Sequence, residues 1–445
     1  MTAQYPARGA PRRHMRFQRG QAMVLGMLLA AVAATVLARY FFAGQAIGAK
    51  ARQIDALDAA AYSAALLQAR SLNMLAYINR AQIGHQVAMA HLVTLGSWAA
   101  LGGTEAGQAA AGNPPLYLIG MLFGVQHGSA YAAALKASGL DTLARSQGDL
   151  ARAYAAHDNI VRNTLVTVQD QIVGRLPEAR RSVMQALLHQ NYPEWPEDTG
   201  FAVTLDADTW AGYLQRHGGG HDLHAYVQGV SALYDFLAPR NHLASSSWVV
   251  DARCPHLRHE LRRRGTTELD SQGRWQSIDT QSYHALRSNR WIGCYYREYS
   301  MGWGWIPGAS TQAFAGPHVD NPPENFAGQD FWRWVKESTD WDIASGSSNP
   351  LANSKAVVNR QRWEGGGLAP YYDTKLGSAE LVFGITLIHP GPQGLKIKTR
   401  SAAETFFDRP VSRTDQQVER PNLFHPYWQA RLITHRWADI ERPDS

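Results

Sequence analysis

Three histidines and an aspartate fall within eight residues at His217-Gly218-Gly219-Gly220-His221-Asp222-Leu223-His224. Imidazoles are good zinc ligands. His221 and His224 share a face only if the stretch is helical, whereas the glycine run predicts a flexible loop. His217-Gly218-Gly219-Gly220 also has the composition of a lipase oxyanion loop, which requires a Gly-x-Ser-x-Gly elbow. Gly229-Val230-Ser231-Ala232-Leu233 lacks the second glycine, so a polar glycine-rich turn is the expectation. Cys254, His256, His259 and Glu260 form a second cluster of metal-ligand types, but Cys254 is better used in a disulfide. No Gly-x-x-x-x-Gly-Lys-Ser/Thr loop occurs, which excludes nucleotide hydrolysis by that device. No catalytic, cofactor or metal residue is assigned, and the chain is expected not to be an enzyme. The alternatives are an exported, membrane-anchored metal-dependent hydrolase or a carbohydrate-binding adhesin.

The adhesin alternative comes from a dense aromatic zone. Trp291, Trp303, Trp305, Trp332, Trp334 and Trp341, with Tyr295, Tyr296 and Tyr299, surround Met301-Gly302-Trp303-Gly304-Trp305. Trp303 and Trp305, if exposed, would stack on sugar rings or dock another protein. If buried, they fill the core of a small sheet domain.

The element that must position all of this lies near the start. Ala22 to Ala38 is seventeen residues without a formal charge, roughly 25 Å of helix against a bilayer core of about 30 Å. Gln21, Met23, Leu28, Leu29, Val32, Val36 and Leu37 belong to this run. Arg39 then lifts its guanidinium to the headgroups, and Tyr40-Phe41-Phe42 suits the interface. The segment predicts a transmembrane anchor over residues 20–44, with membrane lipid as its partner; a cleaved secretory signal is the alternative. Arg8, Arg12, Arg13, Arg16 and Arg19 precede it, and Arg39, Lys50 and Arg52 follow. That bias places residues 1–19, a basic tail, in the cytoplasm and the remainder in the periplasm.

The 445 residues, with 45% apolar and 18% charged, exclude disorder throughout. Five of the arginines behind the net charge of +6 sit in the tail. No basic stripe stands out on the rest, so nucleic acid is not an expected partner. Cys254 and Cys294 would close a loop of about 41 residues, worth roughly 4 kcal/mol; two independent buried thiols remain the alternative.

Gln45 to Leu101 is rich in Ala, Leu, Gln and Arg without proline and predicts a helix. Ile47, Ile54, Leu57, Ala61, Ala65, Leu72 and Leu75 mark an apolar stripe, continued by Gln68, Asn79, Gln82 and Gln86. Such amides fix a coiled-coil partner or self-association, or else the helix packs on its own chain. A loop over Gly102–Pro115 and a second helical block over Leu116–Gln190, broken near Gly139 and at Pro177 with Asp141 as a cap, complete a predicted helical hairpin stalk over 45–190. Residues 191–445 predict a β-rich domain with strands at Phe201–Leu205, Trp248–Ala252, Trp275–Thr280, Leu381–Ile388 and Leu395–Thr399. Gln272-Gly273 reads as a hairpin turn. The fold class is α+β.

Arg19-Gly20-Gln21-Ala22 leading into the apolar run, Ala38-Arg39-Tyr40 at its outer end, and Gln53-Ile54-Asp55-Ala56-Leu57-Asp58-Ala59-Ala60-Ala61 beyond occur in that order. In these residues the chain resembles the TadE/TadG-like proteins of Flp (tight adherence) pilus assembly, over about residues 16–66. The resemblance implies a membrane-anchored structural component whose partners are other pilus-assembly or envelope proteins. Leu25 stands where pilin-like members carry a glutamate, so fibre incorporation is not implied. Asp342-Ile343-Ala344-Ser345-Gly346-Ser347 lacks the spacing of a metal-dependent adhesion site.

Overall fold

The structure, a computed structural model, describes residues 19–196, 201–218, 221–289, 293–308, 355–356, 359–375 and 380–433. Residues 1–18 of the basic tail, Trp291, Trp332, Trp334, Trp341 and the stretches 309–323, 331–336 and 342–353 lie outside the described residues.

Helix α1 runs unbroken from Arg19 to Ala110, 92 residues, or about 138 Å at 1.5 Å per residue. Its composition explains the length, because no proline occurs between Arg19 and Ala110 and alanine is frequent. The predicted loop at Gly102-Gly103 is instead helical. Both glycines sit where other elements press on the helix: a Cβ on Gly102 would lie 3.3 Å from Ala137 Cβ, and one on Gly103 2.7 Å from Asp141 Cβ. Glycine here permits close packing rather than a turn.

The second block is a series of short helices, α2 (Leu116–Phe123), α3 (Val125–Ala133), α4 (Asp141–Ala144) and α5 (Asp149–Asn159), then α6 (Val166–Asn191). The break at Gly139 is present, with φ at +86°. Asp141 is a first-turn residue paired with Arg145 rather than the cap, which is Leu140. The break expected at Pro177 is absent, and α6 continues through it. Leu176, Arg180 and Met184 are buried there; packing outweighs the hydrogen bond that proline forfeits.

Three sheets follow among the described residues, with every strand pairing antiparallel. The first sheet has the order β1 (Val203–Asp208), β8 (Leu381–Pro390), β9 (Lys396–Phe407), β10 (Trp428–Leu432). A two-stranded ladder joins β2 (Leu214–His217) to β7 (Tyr371–Thr374). The second sheet runs β3 (His242–Ser245), β4 (Glu260–Leu269), β5 (Trp275–Asn289), β6 (Gly293–Ile306). The hairpin turn is where Gln272-Gly273 predicted it, with Leu269 opposite Trp275 and Gly273 at φ +73°. Trp248–Ala252 is loop; the neighbouring strand is β3, upstream.

A free-standing hairpin stalk is not what these elements form. From Ala56 onward α1 is the spine on which both sheets and α6 pack, and four of the apolar clusters are strung along it in order. Ala56–Ala65 meets Met184, Leu188, Phe383 and Ile385. Ala69, Leu72 and Leu75 meet Tyr213, Leu381 and Trp428. Ile83–Ala100 meets Trp275, Ile306 and Tyr371, and Ala109 meets Ile119, Tyr131 and Tyr283. The alanine-rich run after the anchor lets strands approach the helix closely.

Cys254 and Cys294 form a disulfide with Cα atoms 6.1 Å apart, within the usual range. It ties the loop after β3 to β6.

Candidate functional site

The first third of α1 is bare. Met23, Leu28, Leu29, Val32, Val36, Leu37 and Tyr40 are between 46% and 75% exposed, and Gln21 and Arg39 belong to the same helix. The stretch is long and apolar enough to cross a membrane, and the described residues bury none of its most apolar part. Apolar side chains that no protein surface covers are what a lipid-facing helix requires. This helix is consistent with a single-pass membrane protein.

Beyond the bare third, the amides of the seam face their own chain. Gln53 Nε2 donates to the carbonyls of Leu387 and Ile397, at 3.0 and 3.1 Å. Gln68 Oε1 accepts from Arg180 Nη1 at 2.7 Å. Asn79 Nδ2 donates to Tyr372 and Leu423 carbonyls at 2.8 and 2.7 Å, and its Oδ1 accepts from Gln169 at 2.6 Å. Gln82 Nε2 reaches Gln169 and the Pro370 carbonyl, both at 3.3 Å. Gln68, Asn79 and Gln82 are at most 1% exposed. They are the pegs that hold strands and α6 on the helix, bonds that are costly to leave unmade in a buried place.

Further along, polar groups of the second sheet meet α1. Ser277, Asp279 and Gln281 alternate on β5 and so share a face. Ser97 Oγ on α1 donates to Asp279 Oδ2 at 2.6 Å and meets Ser277 Oγ at 2.7 Å. Arg240 clamps the same carboxylate through Nη2 (2.9 Å) and Nε (3.1 Å). Burial pushes the Asp279 carboxyl upward, while Arg240 and the Ser97 hydrogen bond oppose the shift. Gly302 and Gly304 face the helix as well: a Cβ on Gly302 would lie 2.9 Å from Glu105 Cβ, and one on Gly304 would run into the Ser97 carbonyl. Trp303 and Trp305 therefore point to the other face. Trp305 is 1% exposed beside Ile278 and Ala356, and Trp303 is half-buried with Lys355 Nζ 5.0 Å from its ring. Trp305 fills core; Trp303 alone of the two keeps an accessible edge.

One constellation that the sequence did not single out is Ser282, His284 and Glu298, brought together by the β5–β6 register. Ser282 Oγ lies 3.0 Å and Glu298 Oε1 3.2 Å from His284, but both contact the same nitrogen, Nε2. A nucleophile relay needs the base between the two, one on each nitrogen. All three are at most 2% exposed, so the group sits in the interior without the geometry for acyl transfer. The signal that could have found it is the period-two polar alternation along β5.

The histidine-rich stretch is divided by the fold. His217 ends β2 and stacks on Tyr371, with centroids 5.0 Å apart. His221 and His224 start helix α7 (His221–Ser231), where His224 Nε2 lies 3.1 Å from the Asp270 carbonyl. Cys254 is in the disulfide, and His259 Nδ1 accepts the Leu286 amide at 2.8 Å. No three His, Cys, Asp or Glu side chains among the described residues come together to hold a metal ion.

Glu105, near the end of α1, was not foreseen either. It accepts from Gln281 Nε2 at 3.2 Å. Burial raises its carboxyl to about 7 from 4.5, against the opposing charge of Arg263. A raised carboxyl contributes stability that is complete below pH 4.5 and is lost as pH rises through 7. Glu105→Gln is expected to abolish that loss, so the variant gains on the parent by at most about 3 kcal/mol at pH 8. Denaturant unfolding of detergent-solubilised protein from pH 4 to 8 measures the difference; parallel stability curves would refute the assignment.

Comparison with protein-family models, curated proteins and solved structures finds no match to this chain.

Proposed function

We propose that this protein is a non-enzymatic, single-pass scaffold of the bacterial cell envelope. It serves pilus assembly or adhesion of the Flp type, with residues 1–19 cytoplasmic and the α+β body in the periplasm. One observation carries the scaffold reading: a single helix is bare and apolar over its first third and is the buried spine of the body over the remainder. An uninterrupted helix passes position and direction from the membrane into the core without a hinge. What lifts the body is short. Gly44 to Arg52 spans about 14 Å, and Lys50 and Arg52 already touch the body through the Lys398 carbonyl and Glu194.

The orientation is supported by the arginines ahead of the helix and by a disulfide, which persists in oxidising compartments. The link to pilus assembly rests on the ordered residues around Arg19, Arg39 and Gln53. The other envelope proteins it holds would meet the body's outer surface, since Gln68, Asn79 and Gln82 are occupied within the chain.

Alkaline carbonate washing of envelope membranes is expected to leave the full chain in the pellet. A C-terminal alkaline phosphatase fusion is expected to be active. A washed-out protein would sink the anchor, and an inactive fusion the orientation.

A further inference from the structure

The direction of β9 along α1 is fixed by four side-chain hydrogen bonds. Lys50 Nζ donates to the Lys398 carbonyl and Gln53 Nε2 to that of Ile397. Ser401 Oγ donates to Asp58, and Thr405 Oγ1 to the Ala65 carbonyl. Strand β9 therefore runs away from the bare third of α1, and the β8–β9 turn hangs toward it. Within that turn Pro392–Gly394 packs on α1. A bilayer core of about 30 Å takes up about twenty residues, Ala22 to Phe42. Gln53 is about 16 Å further along the helix. Leu395, two strand residues short of Ile397, comes back by about 7 Å of that. About 10 Å remains to the level of Phe42, close to one headgroup layer of about 5–8 Å, and Gln393, midway round the turn, lies nearer still.

We propose that the β8–β9 turn is a foot that stands on the phospholipid headgroups of the leaflet that α1 leaves at Phe42. The inference rests on the anchored reading above, and position selects the occupant, because lipid headgroups are what lies within one headgroup layer of the span. The residues of the hairpin suit them. Ile388 and Leu395 are 46% and 51% exposed. Lys396 and Lys398 are exposed too and share the outer face of the sheet with Ile388, which stands opposite Lys398. Aliphatic side chains set between lysines match an interface where stems meet lipid and ammonium groups meet phosphate. On the other face His389 packs on Tyr192 and Trp195, ring types that gather at a membrane–water boundary. Glu194 beside them is paired with Arg52 at 2.8 Å; Glu197 and Asp198 lie outside the described residues, so the phosphate contact is ascribed to the hairpin lysines alone. A helix by itself lets the body tilt about its exit from the membrane. A second contact beside it sets that tilt.

The chain has no free cysteine among the described residues, so an introduced thiol takes a fluorophore alone. The full chain is reconstituted in vesicles of phosphatidylcholine and phosphatidylglycerol, with no other protein, and the quencher is a nitroxide on the lipid headgroup. A label on Leu395→Cys is expected to lose most of its emission. One on Val418→Cys, 94% exposed beyond the far end of β9, is expected to keep it. The nitroxide carried on phosphatidylglycerol is expected to quench position 395 more than the same group on phosphatidylcholine, and Lys396→Glu with Lys398→Glu to erase that difference. The foot is overturned if position 395 keeps its emission or if 418 is quenched as strongly. The pairing of the lysines with phosphate is overturned if the parent shows no lipid preference or the double variant retains it. A label on Leu29→Cys, read with a nitroxide deep in the acyl chains, tests the anchor separately. Quenching at 29 without quenching at 395 removes the foot and keeps the anchor; the reverse keeps the foot and removes the anchor.

Discussion

Arg240→Ala is expected to lower the free energy of unfolding by about 3–5 kcal/mol. Asp279 is wholly buried, and two of the hydrogen bonds that hold its carboxylate come from Arg240. Removing the guanidinium leaves a fully buried carboxyl with Ser97 as a donor. The group must then take up a proton or remain as a poorly compensated charge. Arg240 also donates to Thr267, Ser277 and the Phe236 carbonyl, so the substitution loosens α1, β4 and β5 together. Replacing both partners by apolar residues, Arg240→Met with Asp279→Leu, removes the charge as well as its clamp and is expected to recover most of the loss. Denaturant unfolding of the two singles and the double gives the coupling energy. A single-variant cost below about 1 kcal/mol, the range of exposed pairs, would show that the clamp is ornamental. The pH behaviour has a definite sign. Without Arg240 the folded-state carboxyl rises further, so the variant loses stability more steeply than the parent as pH increases above the ordinary aspartate range.

Cys254→Ala is expected to cost about 4 kcal/mol, the closure entropy of a loop of some 41 residues. Cys254 is 2% exposed against Leu286 and Tyr296, and alanine keeps most of that contact. The difference therefore reports the crosslink. Thiol reductant should lower the unfolding midpoint of the parent chain and leave the variant unmoved. Equal sensitivity of the two chains, or none in either, would mean the cysteines do not constrain the unfolded state. The loss is expected chiefly in the second sheet, because the bridge joins the loop before β4 to β6.

What was legible in the order of residues was whatever depends on neighbours in the chain. An unbroken apolar run without proline or charge determined a membrane-length helix. Period-two alternation around Gln272-Gly273 determined a hairpin. Two cysteines alone in the chain determined at most one internal bridge. Tertiary structure decided the rest, because sequence pattern shows that a helix face is different without showing what lies against it. Gln68, Asn79 and Gln82 read as a seam for a partner, yet strands more than two hundred residues away close over that side of α1 and take up Asn79 and Gln82. Gly102-Gly103 read as a loop, yet neighbouring chain presses on the helix there, and only a residue without a side chain allows the approach. Gly302 and Gly304 separate two tryptophans for the same reason, which is why Trp305 is core rather than a platform. Pro177 read as a stop, yet burial of Leu176 and the packing of Arg180 and Met184 on α1 and the first sheet offset one lost backbone bond. Local propensities are a few tenths of a kcal/mol to a few kcal/mol per residue, and a long helix packed from Ala56 onward on two sheets overrides them.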